Sequence, residues 1–340
     1  MGKSLYSQYE QLLKSGNWKY YPFKGALDID VFSDRDSMRS FFESYLGKGG
    51  KADLSIFKYI NTLSKSRLQH TLSCFLLGIL IYESNKHLSR RINSVLEKIP
   101  IQNIEGPRER FKYLWLLISI FHDFGYAFEN KDVELSKNEF DELITELNSH
   151  PESIPIIYSQ ELLKNYAKYR LCRFGIDDHG ICGGIKLYSD LCELRKEKEN
   201  QSTIEGYWGE DLIPSFELAA WTVACHNIWH VKYGENNVGS IMCYKCQHLE
   251  ELIYNIDSRI IKKSPFLFLL CLVDSIEPIK IFNDVDKLRH MAFDFSKERC
   301  IEIHTRKICQ IHKEHYLSKI KELNDWLTDV TINETFQISI

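Results

Sequence analysis

Three long apolar stretches, residues 71–82, 113–121 and 265–273, set the strongest limit on what this chain can fold into. Apolar side chains in them recur every three or four positions, as at Leu72, Phe75, Leu76 and Ile79, and again at Leu114, Leu117, Ile118 and Phe121. That spacing lines one face of a helix. All three stretches fall short of the roughly 20 residues that cross a bilayer, so they predict core helices and no membrane partner. The same periodicity runs through most of the first 285 residues and predicts a mainly α fold. Helices are expected at about 37–46, 53–85, 107–128, 136–149, 156–173, 179–198, 214–232, 246–261 and 265–282.

The pattern changes near residue 290. AFDF and CIEIH alternate with period two on either side of a polar SKER turn, which signals a short hairpin. A helix is expected at about 306–328, and the closing TINETFQISI alternates again. The expected organisation is an N-terminal helical extension over 1–52, a helical metal-binding domain over 53–285, and a small α+β appendage of β-β-α-β order over 286–340.

Composition narrows the function. With 340 residues and 44% hydrophobic content, the chain can build a large core without staples. Its 43 Lys and Arg against 47 Asp and Glu leave a formal charge of -4, no field for gripping a phosphate backbone, so a small molecule is favoured over a nucleic-acid polymer. Ten cysteines scattered among apolar segments read as buried reduced thiols and point to a cytoplasmic setting. The opening MGKSLYSQYEQLLKSG lacks the apolar run of a signal peptide, and Tyr6 stands where a myristoylation motif wants Ser or Thr, so neither export nor a lipid anchor is expected. Nothing in the sequence sets an oligomeric state.

The chemistry sits at the ends of the apolar stretches. His122 and Asp123 close the run YLWLLISIF, and Asp274 follows FLFLLCLV. A carboxylate carried out of water by such a helix needs a cation or a dense set of donors to offset its desolvation. His70 opens a third apolar helix, RLQHTLSCFLLGILIY. Three core helices therefore deliver metal-type ligands to one interior, as helical bundles do when they build metal sites.

The order His70, His122-Asp123, Asp274 resembles the H…HD…D pattern of the HD superfamily of metal-dependent phosphohydrolases. SRLQHTL resembles that superfamily's R-x-x-H-[ST] opening, with Arg67 one turn before His70, and FHDFGY resembles its H-D-[IFL]-G segment. The resemblance covers about 65–280 and implies an HD-type helical bundle. It also implies roles for His179 in DDHGICGG and His226 in WTVACHNIWH, which stand where binuclear members place the ligands of a second ion. His122 and Asp123 would then face both ions with Asp123 bridging, His70 and Asp274 would hold the first ion, and His179 and His226 the second. Such nitrogen and oxygen ligands suit Mn, Fe, Co or Zn better than Mg. The implied activity is hydrolysis of a phosphoester, with a nucleotide or cyclic nucleotide the favoured substrate, by a water that the metal makes acidic. From position alone, Arg67 and Lys186 are candidates to hold a phosphate, and Glu129 and Tyr126 to protonate a leaving group or order water.

Other readings stand beside this one. His179 and His226 can each be a buried imidazole bonded to a backbone carbonyl. The fold also hosts di-iron oxygenases, and a non-catalytic, nucleotide-sensing module would keep the same architecture. His226 and His230 are four apart, but Asn227 stands where a metalloprotease motif needs Glu. Cys243 and Cys246, with His248 nearby, form only half of a zinc site, and GKGGKAD at 47–53 lacks phosphate-loop spacing.

Overall fold

The computed structural model describes residues 2–20, 30–48, 60, 63–102, 104–126, 160–174, 178–199, 208–227, 249, 264–305, 308–324 and 331–336. The fold is mainly helical with a small sheet near its C-terminal end. Helices α1 (Leu5–Ser15), α2 (Arg35–Lys48), α3 (Lys65–Ser84), α4 (Lys86–Leu96) and α5 (Gly106–Phe121) come first. They are followed by α6 (Gln160–Phe174), α7 (His179–Glu199), α8 (Ile213–Ala224), α9 (Pro265–Ile276) and α10 (Pro278–Phe282). Strands β1 (Met291–Asp294) and β2 (Cys300–Thr305), then α11 (Gln310–Asn324) and β3 (Thr331–Phe336), complete the chain. The expected helices at 136–149 and 246–261 lie outside the described residues, as do Cys243, Cys246 and His248.

Helices α3, α5 and α9 carry the apolar stretches and form the centre of the body, with α5 also against α8, and α8 against α7. Ser64 starts α3 by accepting a hydrogen bond from the Arg67 amide, a side-chain cap on an otherwise unmet N–H. Helices α3 and α5 approach closely because Gly78 leaves room for Trp115: a Cβ at Gly78 would sit 2.2 Å from the indole. The Trp115 indole N–H then donates to the Phe75 carbonyl at 3.0 Å. Leu and Phe side chains along α9, from Phe266 to Leu272, are nearly all withdrawn from water. Each contributes roughly 1.5–3 kcal/mol relative to exposure, enough together to carry Asp274 into the interior with them.

The stretches expected as helices at 265–282 and 107–128 end differently, each for a local reason. The stretch 265–282 breaks in two because Pro278 disfavours helical backbone in the residue before it. Glu277 accordingly adopts φ -65°, ψ 119° and caps α10 by accepting from the amides of Ile279 and Lys280. Helix α5 stops at Phe121, and residues 122–125 turn. Gly125 there lies so close to α7 that a Cβ would meet the His179 carbonyl oxygen at 1.7 Å. Helices α1 and α4 were not expected. In α4, KHLSRRINSVL, the buried face of His87, Leu88, Ile92, Val95 and Leu96 is diluted by Arg90, Arg91 and Asn93, and Asn85 starts the helix by accepting from the Leu88 amide.

The C-terminal elements follow the expected β-β-α-β order. Strands β1 and β2 pair antiparallel, β2 and β3 pair parallel, and α11 makes the crossover, as a parallel pair requires. Helix α11 packs on α9, and the buried Tyr316 hydroxyl donates to the Ile276 carbonyl at 2.9 Å, tying this unit to the end of α9. Among the described residues no helix is long and apolar enough to cross a membrane, and no disulfide joins Cys74, Cys182, Cys192, Cys225, Cys271, Cys300 or Cys309 to another described cysteine.

Candidate metal centre

Five segments meet at one buried cluster. Helix α3 supplies Arg67, His70 and Cys74, one turn apart on the same face. The turn after α5 supplies His122 and Asp123, α7 begins with His179, His226 follows α8, and Asp274 stands in the last turn of α9. His70, His122, Asp123, His179, His226 and Asp274 are all buried. Their ligand atoms form two groups, His70, Cys74, His122 and Asp274 in one and Asp123, His179 and His226 in the other.

The spacings within the cluster are those of atoms around a common centre. His70 Nε2 lies 3.2 Å from His122 Nε2 and 3.2 Å from Asp274 Oδ1. His122 Nε2 is 3.4 Å from Asp123 Oδ1 and 3.7 Å from Asp274 Oδ1. The same Asp123 oxygen also lies 3.9 Å from His179 Nε2, while Oδ2 is 3.7 Å from His70 Nε2. Two ligands each about 2.1 Å from a tetrahedral ion lie about 3.4 Å apart, so these separations suit shared coordination.

The hydrogen bonds around the rings decide which nitrogens face inward. His70 Nδ1 lies 2.8 Å from Glu277 Oε2, His122 Nδ1 lies 2.7 Å from the Ser119 carbonyl, and His226 Nδ1 lies 2.7 Å from the Val223 carbonyl. Each oxygen can only accept, so the proton belongs on Nδ1 and a lone pair is left on each Nε2. Two such lone pairs 3.2 Å apart, beside a carboxylate, repel unless a cation or a proton stands between them. His226 Nε2 is buried without a hydrogen-bond partner, a cost of roughly 1–3 kcal/mol that a metal ion would remove, and Asp274 Oδ1 faces the ring nitrogens of His70 and His122. The donor set therefore fits one or two divalent ions. The two readings of His226 are compatible, since Nδ1 bonds the Val223 carbonyl and leaves Nε2 facing the cluster.

Electrostatics agree with the geometry. Burial works against the charge on Asp274, yet Lys280, His70 and His122 hold its carboxyl well below the usual range. Asp123 is likewise lowered against burial by His122, His70 and Lys280. Burial, with His179 and His122 beside it, pushes His226 down to about 3, so its ring is neutral at physiological pH. His70 moves the other way: burial opposes its charge, but Cys74, Asp274 and Glu277 together raise its pKa well above the ordinary value. Asp274 beside Nε2 and Glu277 beside Nδ1 favour the protonated ring, so a metal ion at Nε2 competes with a proton there. Ion uptake at pH 7 should release protons into a weakly buffered solution, and acidification should drive the ions out, since binding consumes the deprotonated ring. Dialysis at stepped pH with metal analysis checks this. Retention that rises as pH falls would contradict it.

Three neighbours were not among the residues singled out for this centre. Glu277, fully buried, accepts from the Ile279 and Lys280 amides as well as from His70. Lys280 places Nζ 2.6 Å from Asp274 Oδ2 while its side chain remains 41% exposed. Cys74, read as a core thiol, puts Sγ 3.6–3.7 Å from the ring nitrogens of His70, and burial pushes its pKa up to about 12. Its position four residues after His70 was the available signal. Proline at 278 hid the other two by breaking the helical register that links them to Asp274.

The remaining candidates divide. Arg67 Nη1 lies 3.3 Å from Asp123 Oδ2, with its side chain 41% exposed. Its guanidinium sits 4.0 Å from the centre of the Tyr126 ring, which stacks on His179 at 3.7 Å. Lys186 pairs with Asp190 at 2.7 Å on its own helix. Glu129 and His230 lie outside the described residues. No family model, curated protein or solved structure matches this chain.

Proposed function

We propose that this protein is a metal-dependent phosphohydrolase with the HD-superfamily ligand pattern, cleaving a phosphoester in a small substrate of the nucleotide or cyclic nucleotide class. The observation that carries the reading is the double ligand group sharing one wall, with Asp123 and His122 between His70 and Asp274 on one side and His179 and His226 on the other. Divalent ions held there would supply Lewis acidity toward a phosphoryl oxygen and make a water molecule acidic near neutral pH.

The side chains set out the rest of the chemistry. Arg67 and Lys280 each touch the outer oxygen of a ligand carboxylate, Asp123 Oδ2 and Asp274 Oδ2, and both keep part of their length in solvent. Two cations at the rim of a buried anionic cluster are suited to receive phosphoryl oxygens, Arg67 through its planar fork and Lys280 as a point charge. Tyr126, held between Arg67 and His179, brings a phenol to the same rim as a proton donor for a leaving oxygen. Burial of the ligands keeps bulk water from competing for their charges.

Purified protein supplied with Mn or Co should release phosphate or a nucleoside monophosphate from a member of a nucleotide panel, and His122→Ala and Asp123→Ala should each abolish that release. Hydrolysis that survives both substitutions would overturn the assignment. Lys280→Ala should retain its ions, because Lys280 is not a ligand, while KM rises roughly tenfold for loss of one charge-assisted contact. Steady-state kinetics beside metal analysis reads both quantities.

A further inference from the structure

The residues that flank the two histidines of the second ligand group are bonded to each other. Asp178 immediately precedes His179, and Asn227 immediately follows His226. Asn227 Nδ2 donates to Asp178 Oδ1 at 3.1 Å, across 49 residues of sequence. The same Asp178 oxygen accepts from the Gly180 amide at 2.8 Å and the Ile181 amide at 3.3 Å, so it also starts α7, whose first residue is His179. Asp178 Oδ2 faces Arg170 Nε at 2.5 Å in an ion pair from α6. All three side chains are buried, and the Asn227 amide nitrogen lies 3.1 Å from His179 Nε2 as well.

On the reading of a two-ion centre, we infer that the Asp178–Asn227 pair, neutralised by Arg170, is a positioning clamp that sets the separation of His179 and His226 and so decides whether the second ion binds. The first group has no share in it. His70 is oriented by Glu277 and His122 by the Ser119 carbonyl, both remote in sequence from Asp178 and Asn227. Each histidine of the second group hangs on a helix end, His179 at the start of α7 and His226 just past the end of α8. A helix end can shift by a fraction of an ångström far more readily than a mid-helix ligand such as His70. A hydrogen bond between the adjacent residues removes that freedom. Outer partners of this kind typically change ion affinity by 10–100-fold. Arg170 supplies the charge that lets a carboxylate stand there out of water.

The test is metal stoichiometry and spin coupling in the full-length protein. Wild type titrated with Mn should take up two ions and show the exchange-coupled paramagnetic resonance spectrum of a pair sharing Asp123. Asn227→Leu keeps the side-chain shape and removes the donor. It should bind the first Mn as wild type does, with the six-line spectrum of an isolated ion, and the second roughly 10–100-fold more weakly. Asn227→Ala, which leaves a small gap in place of an apolar branch, serves as the second variant. Two ions at wild-type affinity in either folded variant would overturn the clamp while leaving the metal centre standing. Loss of both ions together, or unfolding of both variants, would overturn it too, because the pair would then be general scaffold. A wild-type protein that binds fewer than two ions would remove the two-ion reading and this inference with it.

Discussion

Asp123→Ala should leave the protein folded but unable to retain metal, with turnover reduced to background. Asp123 belongs to one ligand group and reaches the other, 3.4 Å from His122, 3.7 Å from His70 and 3.9 Å from His179. Its removal leaves four imidazoles and Asp274 without that anion. Ion affinity should fall by more than the roughly 100-fold that follows loss of an outer partner. In the metal-free state His122, His70 and Lys280 hold the Asp123 carboxylate ionised against its burial, so its removal should also lower stability in chelator at neutral pH. Metal analysis after gel filtration, paired with thermal unfolding in chelator, separates the two effects. An Asp123→Ala protein that still copurifies with two equivalents of metal would be incompatible with the arrangement of the centre.

Glu277→Gln should be the most damaging conservative change outside the ligands. The glutamate is fully buried and accepts from three donors, the Ile279 and Lys280 amides and His70 Nδ1. An amide of the same shape keeps one acceptor oxygen and turns the other position into a donor. At least one of the three donors then faces an N–H group. Hydrogen bonds to a charged group are worth about 1.5–3 kcal/mol each, so a loss of roughly 2–4 kcal/mol in unfolding free energy is expected. The Lys280 amide and His70 Nδ1 share Oε2, while Ile279 bonds Oε1, so the amide oxygen can keep the first two. His70 then faces a neutral acceptor in place of a carboxylate, and affinity at the first ligand group should fall by about 10-fold, the low end of the change that outer partners bring. Denaturant melts with and without metal measure the first effect, and Mn titration the second. Unchanged values for both would show that Glu277 does not orient His70.

The two substitutions illustrate different levels of legibility. Asp123 could be read from the chain because a carboxylate beside nine consecutive largely apolar residues of a helix has few ways to avoid a heavy desolvation cost. The same argument reached Asp274, and the period-two alternation after residue 290 reached the sheet, since alternation places side chains on opposite faces whatever lies around them. Glu277 carried no such mark. In sequence it is an acid before a proline, and only the break between α9 and α10 turns its carboxylate toward a histidine 207 positions earlier.

Helices α1 and α4 differ in kind from the apolar stretches. Each carries an apolar stripe at helical spacing, Leu5, Tyr6, Tyr9, Leu12 and Leu13 in α1 and Leu88, Ile92, Val95 and Leu96 in α4. The remaining residues are mostly polar or basic, so neither contains a continuous apolar run like those of α3, α5 and α9. Cys74 was visible as an apolar helix residue, but its approach to His70 follows from the turn they share and from the walls that bury both.

What the amino-acid order determined alone was which residues must be inside: the apolar runs, and with them the imidazoles and carboxylates that cannot be buried without partners. Those requirements are local, set by the cost of desolvating one group on one helix. What the tertiary structure decided was who the partners are. Lys280 against Asp274, Glu277 against His70 and Asn227 against Asp178 each join residues across a helix break or between separate elements. Attraction between charges depends on their distance in space, and that distance exists only once the helices have packed.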